Sequence, residues 1–176
     1  MCIRDRSEQI RNKAVIIAEK LAKCNLVGYD QSARNTLYQA LESFDFDVDK
    51  YIASGIKTET DCSAFIYAVY ACLIPSMRYT GNAPTTSTMR EFFKQHGFNY
   101  IADTKYCNDS TKLINGDIVV KEGSHTALFK RAVKEQTDPC LQKIAQDVIA
   151  GKYGNGTARK ENLYNAIQTE VNNILK

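Results

Sequence analysis

The stretch from Ala64 to Ala71 is apolar at nearly every position, with helical rather than strand spacing. Phe65, Val69 and Leu73 share one stripe, Ile66 and Tyr70 the next, and Pro75 lies past the end; the pattern predicts a helix over residues 60–73. In residues 8–23, Ile10, Val15, Ile17, Ala18 and Leu21 are set among charged positions, which predicts an amphipathic helix. A loop is expected at 28–30, a helix over 32–43, and a loop over 81–88 that ends in a capping threonine before a helix carrying Met89, Phe92 and Phe93. Strands are expected near 99–101, 117–121 and 126–132, the last two joined by a glycine-containing turn. Beyond a polar linker at 134–137, Asp138-Pro139 is an N-cap followed by proline at the first helical position. Leu141, Ile144, Ala145, Val148 and Ile149 form the stripe of that helix, and Gly151 stops it. Leu163, Ile167, Val171, Ile174 and Leu175 supply the stripe of a later one.

A chain of 176 residues holds one medium domain and one small one, and 44% hydrophobic residues with ten Tyr and seven Phe suffice for a packed core. The net charge of +3 is too small to argue for nucleic acid, and no basic run is interleaved with aromatics. No apolar run approaches the ~20 residues of a membrane span. The acidic, aromatic segment at 44–49 lacks the glycine and terminal glutamate of a calcium loop, and is expected to be a solvated surface loop. Met1-Cys2-Ile3-Arg4-Asp5-Arg6 resembles the translated sequencing-adapter scar that recurs in assembled environmental sequences, so residues 1–7 are expected to be such a scar and Met1 not to be the true start. Without Cys2, five cysteines remain; none has metal-ligand spacing, and the odd count argues against a complete disulfide framework. That pattern suits synthesis in a reducing cytoplasm, and no metal or cofactor is expected. The visible N-terminus carries no secretory apolar core.

Thr60-Asp61-Cys62-Ser63 opens the apolar helix. With Thr60 as N-cap, Cys62 falls in the first turn, among backbone N–H groups that have no helical partner and that favour a thiolate. The competing reading of Cys62 is a small buried hydrophobe. A cysteine nucleophile needs a base, and there are only two histidines. His96 precedes Gly97, which reads as a helix C-cap, and suits a last-turn structural role. His125 opens the second strand of the Gly123-containing hairpin, where it can face a helix N-terminus. Helix-borne cysteine with strand-borne histidine is the arrangement that Cys–His hydrolases require.

Asp61-Cys62-Ser63-Ala64-Phe65, Gly116-Asp117-Ile118-Val119 and His125-Thr126-Ala127-Leu128-Phe129 together resemble the NlpC/P60 cysteine peptidases, most of all the phage-lysin branch that cleaves peptidoglycan. Gly28-Tyr29-Asp30-Gln31-Ser32 resembles the family segment whose tyrosine lies beside the nucleophile. The resemblance covers roughly residues 8–130 and implies an α+β, papain-like fold, with N-terminal helices packed on a small antiparallel sheet, over residues 8–134. It implies Cys62 as nucleophile, His125 as its base, Tyr29 beside them, and Asp61 and Ser63 in contact with substrate. The family's third polar residue follows the histidine's strand; Gln136 is the only residue of a usual type near that place. No turn signal separates two strands after Phe129, so the closing strands of the barrel are expected to be absent or very short.

Ile144 to Gly156, followed by Arg159-Lys160 and Val171-Asn172-Asn173-Ile174-Leu175, resembles the CW_7 (Cpl-7 type) cell-wall-binding repeat, with Tyr153 where many members carry Trp. This implies a small three-helix wall-binding domain over 138–176. Asp147, Tyr153, Gly154, Asn155, Gly156 and Arg159 would form its contact surface; taken alone, Gly154-Asn155-Gly156 equally reads as an interhelical turn. The two resemblances imply an endolysin-like hydrolase of a stem-peptide amide, an endopeptidase or an N-acetylmuramoyl-L-alanine amidase. It would be made in the cytoplasm of a bacterial host and act at the cell wall on peptidoglycan, without nucleic acid or membrane partners. The alternative is a catalytically impaired derivative that only binds peptidoglycan.

Overall fold

The computed structural model describes residues 1–78, 81–103, 106, 109–131 and 139–174. The chain divides into two compact units, Met1–Arg131 and Ala132–Lys176.

The first unit is α+β. Its elements are β1 (Cys2–Arg4), α1 (Glu8–Lys23), β2 (Val27–Tyr29), α2 (Thr36–Ser43), α3 (Val48–Ser54), β3 (Thr58–Thr60) and α4 (Cys62–Ala71). After a 3-10 turn at Pro75–Met77 come α5 (Met89–Gln95), β4 (Asn99–Ile101), a second 3-10 turn at Ser110–Lys112, β5 (Ile118–Lys121) and β6 (His125–Leu128). An antiparallel sheet runs β4-β1-β5-β6, and β2 pairs with β3 in parallel. No strand follows β6 among the described residues.

α4 is buried on every side, as its nearly unbroken apolar sequence requires. It packs against α1, α2 and β6. The polar ends of its tyrosines are satisfied: Tyr67 donates to the Met77 carbonyl at 2.9 Å and Tyr70 to the Gly116 carbonyl at 2.6 Å. Burial pushes the Tyr70 hydroxyl pKa up, so it stays a donor. Around it, Tyr38 stacks on Tyr67 at 5.0 Å and Phe98 meets Tyr70 and Phe93 edge-on at 5.0 and 4.8 Å.

Residues 1–7, which resemble a scar in sequence, are packed within the first unit. Cys2 and Ile3 are fully buried, and β1 lies between β4 and β5. Arg4 grips the fully buried Asp117 through two hydrogen bonds of 2.6 Å, which compensates a carboxylate that would be costly to bury alone. Ser7 caps α1, accepting from the Ile10 N–H. Asp117 thus has a structural partner, and Gly116 a steric reason: at φ 78° a side chain there would put Cβ 2.6 Å from Arg11 Cβ and 2.7 Å from its Cα.

The segment at 44–49 is corrected from a solvated loop. Asp45 and Phe46 adopt positive φ, which turns Phe46 into the core edge-on to Tyr38, and Asp47 caps α3 through the N–H groups of Asp49 and Lys50. Residues 28–30, expected as loop, lie partly in β2.

The second unit has two helices among the described residues, α6 (Pro139–Ile149) and α7 (Gly156–Ile174). The expected third helix is absent there, because residues 156–174 run as one helix without a break.

Candidate functional site

Parallel pairing of β2 with β3 sets Tyr29 opposite Thr60, and Asp30 donates its N–H to the Thr60 carbonyl at 3.0 Å. One residue further on, the chain turns into α4. The N-cap is Asp61, not Thr60: its backbone is extended and its Oδ1 accepts from the Ala64 N–H at 2.7 Å. Cys62 is therefore the first helical residue, half-buried and free of any disulfide. From the other side, the tight β5–β6 hairpin pairs Lys121 with His125, and Gly123 takes φ 69° in its turn. His125 is exposed at the start of β6, the strand that packs on α4.

These elements enclose an open cavity of about 570 Å³, into which Tyr29, Asp61, Cys62 and His125 all contribute. The sequence-predicted trio of Cys62, His125 and Tyr29 thus meets in one cleft. His96 lies elsewhere: it ends α5, with Nδ1 2.8 Å from the Phe92 carbonyl and Nε2 3.1 Å from that of Ser76. Gln136 lies outside the described residues. No cluster of metal-ligating side chains occurs among the described residues.

Asp61 and Ser63, expected to touch substrate, take part in a hydrogen-bond network centred on Arg34. Arg34, ahead of α2, donates to Asp61 Oδ2 at 2.6 Å and to Asp61 Oδ1 at 3.3 Å. It also donates to Ser63 Oγ at 2.8 Å and to the carbonyls of Ala83 and Pro84 at 2.9 and 3.0 Å. Ser63 is 2% exposed and its hydroxyl donates a hydrogen bond to Asp61 Oδ1 at 2.9 Å. Burial raises the Asp61 pKa, but hydrogen bonds from Arg34, the Ala64 N–H and Ser63 outweigh it and hold the carboxyl below its usual range. Asp61 and Ser63 therefore lock the first turn of α4, and with it the backbone of Cys62. Arg34 went unnoticed in the sequence because its partners lie 27 to 50 positions away, with no local spacing to betray them.

The cleft also separates the cysteines chemically. Burial pushes the Cys72 thiol pKa up to about 12, and its Sγ is hydrogen-bonded to the Ala68 carbonyl. A thiol that acidifies only there stays protonated at neutral pH and is a poor nucleophile. Alkylation at pH 7.5 is expected to modify Cys62 more than about a hundredfold faster than Cys72, as read by peptide mass mapping. Equal rates would mean that the Cys62 thiol is not accessible from the cleft.

In the second unit, the turn between α6 and α7 is tied from within. Arg159 donates from Nε to the Gly154 carbonyl at 3.0 Å and from Nη2 to Asn155 Oδ1 at 2.8 Å. Asn162 donates to the Tyr153 carbonyl at 3.3 Å, and Lys152 pairs with Asp147 at 2.9 Å. Gly154, Asn155 and Gly156 are exposed, Gly154 and Gly156 at positive φ. Two of the residues expected on the contact surface, Arg159 and Asp147, thus also serve to hold that surface in shape.

On this mixed α+β unit and its short helical companion fall two family matches, an endolysin-like domain and a CW_7 repeat, which make the chain an endolysin-like, cell-wall-targeting protein of the peptidoglycan-hydrolase class. The chain belongs to the family described as "Endolysin-like domain", whose model matches residues 1–136. A CW_7 repeat matches residues 142–175. No curated protein and no solved structure was found to match the chain.

Proposed function

We propose that the first unit hydrolyses a stem-peptide amide of peptidoglycan by a thiolate mechanism of the NlpC/P60 type, first of all as an endopeptidase. The observation that carries this reading is the shared cavity: the cysteine at the first position of α4, the histidine at the start of β6 and Tyr29 all line it. Cys62 thiolate attacks the amide carbonyl, and His125, charged as its partner, gives its proton to the leaving amine as the C–N bond breaks. Water then cleaves the thioester. The N–H groups at the first turn of α4 have no helical acceptor, and Asp61 occupies only that of Ala64; those of Cys62 and Ser63 suit the oxyanion, with the Tyr29 hydroxyl as a further donor.

The second unit holds this site near its substrate, raising the local concentration of wall around a weakly binding cleft. The protein is made in the cytoplasm of a bacterial host and acts on the wall after release. The test is digestion of defined peptidoglycan with mass spectrometry of the fragments: new amine and carboxyl ends within the stem peptide support the reading, and cleavage confined to glycosidic bonds overturns it.

Wall binding has its own test. Arg159→Ala removes both clamps on the Gly154-Asn155-Gly156 turn, and is expected to weaken binding of the protein to purified peptidoglycan by about threefold to tenfold. If Arg159→Ala and Asn155→Ala both bind as the unaltered chain does, the turn is a connector and the contact surface lies elsewhere.

A further inference from the structure

Part of the lining of the Cys62 cavity has a chemistry that thiolate attack does not use. Its walls are apolar, built by Val15, Ala18, Ala22, Val27, Phe65 and Leu128. Val15, Ala18, Glu19 and Ala22 follow one face of α1, and the two alanines leave room where larger side chains would fill the cleft. Into this apolar space come two opposite charges, Glu19 and Lys130, paired at 2.6 Å from positions 111 residues apart. They are 34% and 48% exposed, so neither is committed to the core. Glu19 has a second cation, Lys23, at 3.4 Å. The local balance is thus two ammonium groups around one carboxylate.

We propose that this part of the cavity is a carboxylate subsite: the apolar walls take an aliphatic part of the peptide substrate, and Lys130 donates to a carboxylate that the same substrate carries. Glu19 stands in for that carboxylate and holds the Lys130 ammonium in place. When substrate arrives, Glu19 yields Lys130 and keeps Lys23, so no charge is stranded. An exchange of one carboxylate for another in a half-exposed setting has a modest free-energy effect, which suits a specificity contact better than an anchor. The assignment rests on the reading of the cleft as a peptide site, and its test is built to fail separately.

The test uses the full chain and reads the rate at which an alkylating reagent labels Cys62, located by peptide mass mapping. The probe is the tetrapeptide L-alanyl-γ-D-glutamyl-L-lysyl-D-alanine, as the free acid and with its carboxylates amidated. The free acid is expected to slow labelling, with amidation raising the half-protecting concentration about fivefold. Lys130→Met should raise it by a similar factor for the free acid and abolish the difference between acid and amide. Glu19→Gln should lower it, because the internal competitor is gone. Thermal melting of both variants establishes that they fold. Equal protection by acid and amide, a difference that survives Lys130→Met, or no protection by either peptide overturns the subsite. Fragment release from peptidoglycan is scored independently. Hydrolysis without carboxylate dependence sinks the subsite alone, and carboxylate-dependent protection without hydrolysis keeps the subsite and sinks the peptidase reading.

Discussion

Replacing Cys62 by Ala is expected to cut the release of stem-peptide fragments from purified peptidoglycan by roughly a thousandfold or more, because a nucleophile has no partial substitute. The substitution removes one sulfur from the half-buried first position of α4 and leaves the Asp61 cap, the Arg34 network and the core face of the helix untouched. The fold should therefore persist, and binding to the wall through the second unit should be unchanged. His125→Ala is expected to match the loss in fragment release closely, since both residues act in one step and their effects are not additive. Fragment release that survives Cys62→Ala places the nucleophile elsewhere and ends the thiolate assignment. A chain that binds peptidoglycan and releases nothing, with or without the substitution, is a wall-binding protein on an enzyme's frame.

Arg34→Ala is expected to be the most destabilising single change near the site. Its guanidinium serves Asp61, Ser63 and two backbone carbonyls of the 83–84 loop, and the side chains of the ion pair are 17% and 12% exposed. Truncation leaves the Asp61 carboxylate and both carbonyls without their cation, a loss of about 3 to 5 kcal/mol for a buried pair broken on one side. For a unit of this size that is a fall in melting temperature on the order of 10 °C. Arg34→Lys should recover only part of it, since one ammonium cannot reproduce a planar fork with five donors. The same network fixes an acid limit. The folded-state pKa of Asp61 lies below its unfolded value, so its contribution is complete above about pH 4 and is lost as the pH falls through the depressed value. In Arg34→Ala the acid limb of stability is expected to move to higher pH. Unchanged melting and an unmoved acid limb would show that the first turn of α4 is held by other means.

Local chemistry decided what the sequence made legible. α1 and α4 follow from spacing, because helical periodicity is written within a few residues of itself. Cys62 in a first turn and His125 on a hairpin strand follow from caps and turns of the same local kind. The second unit's glycine-rich turn and the stop of α6 at Gly151 are equally local.

What the sequence could not display are the long-range partners and the shortest elements. β1, β2 and β3 have three residues each, too few for a period to show. β1 is recognisable only from β4 and β5 on either side of it, and from Asp117 as the buried partner of Arg4. Phe46 reads as an exposed aromatic in an acidic run until positive φ turns it onto Tyr38. Asp61 and Ser63 show no sign of their partner Arg34 in the sequence, and Glu19 and Lys130 look like solvated charges until α1 and the end of β6 bring them into one cavity. The sequence by itself determined α1, α2, α4, α5 and the hairpin, and named the cysteine and histidine that line the candidate cavity. Only the tertiary structure decided which polar groups near Cys62 are spent on holding the chain, because hydrogen bonds across 27 to 113 positions leave no trace in local spacing.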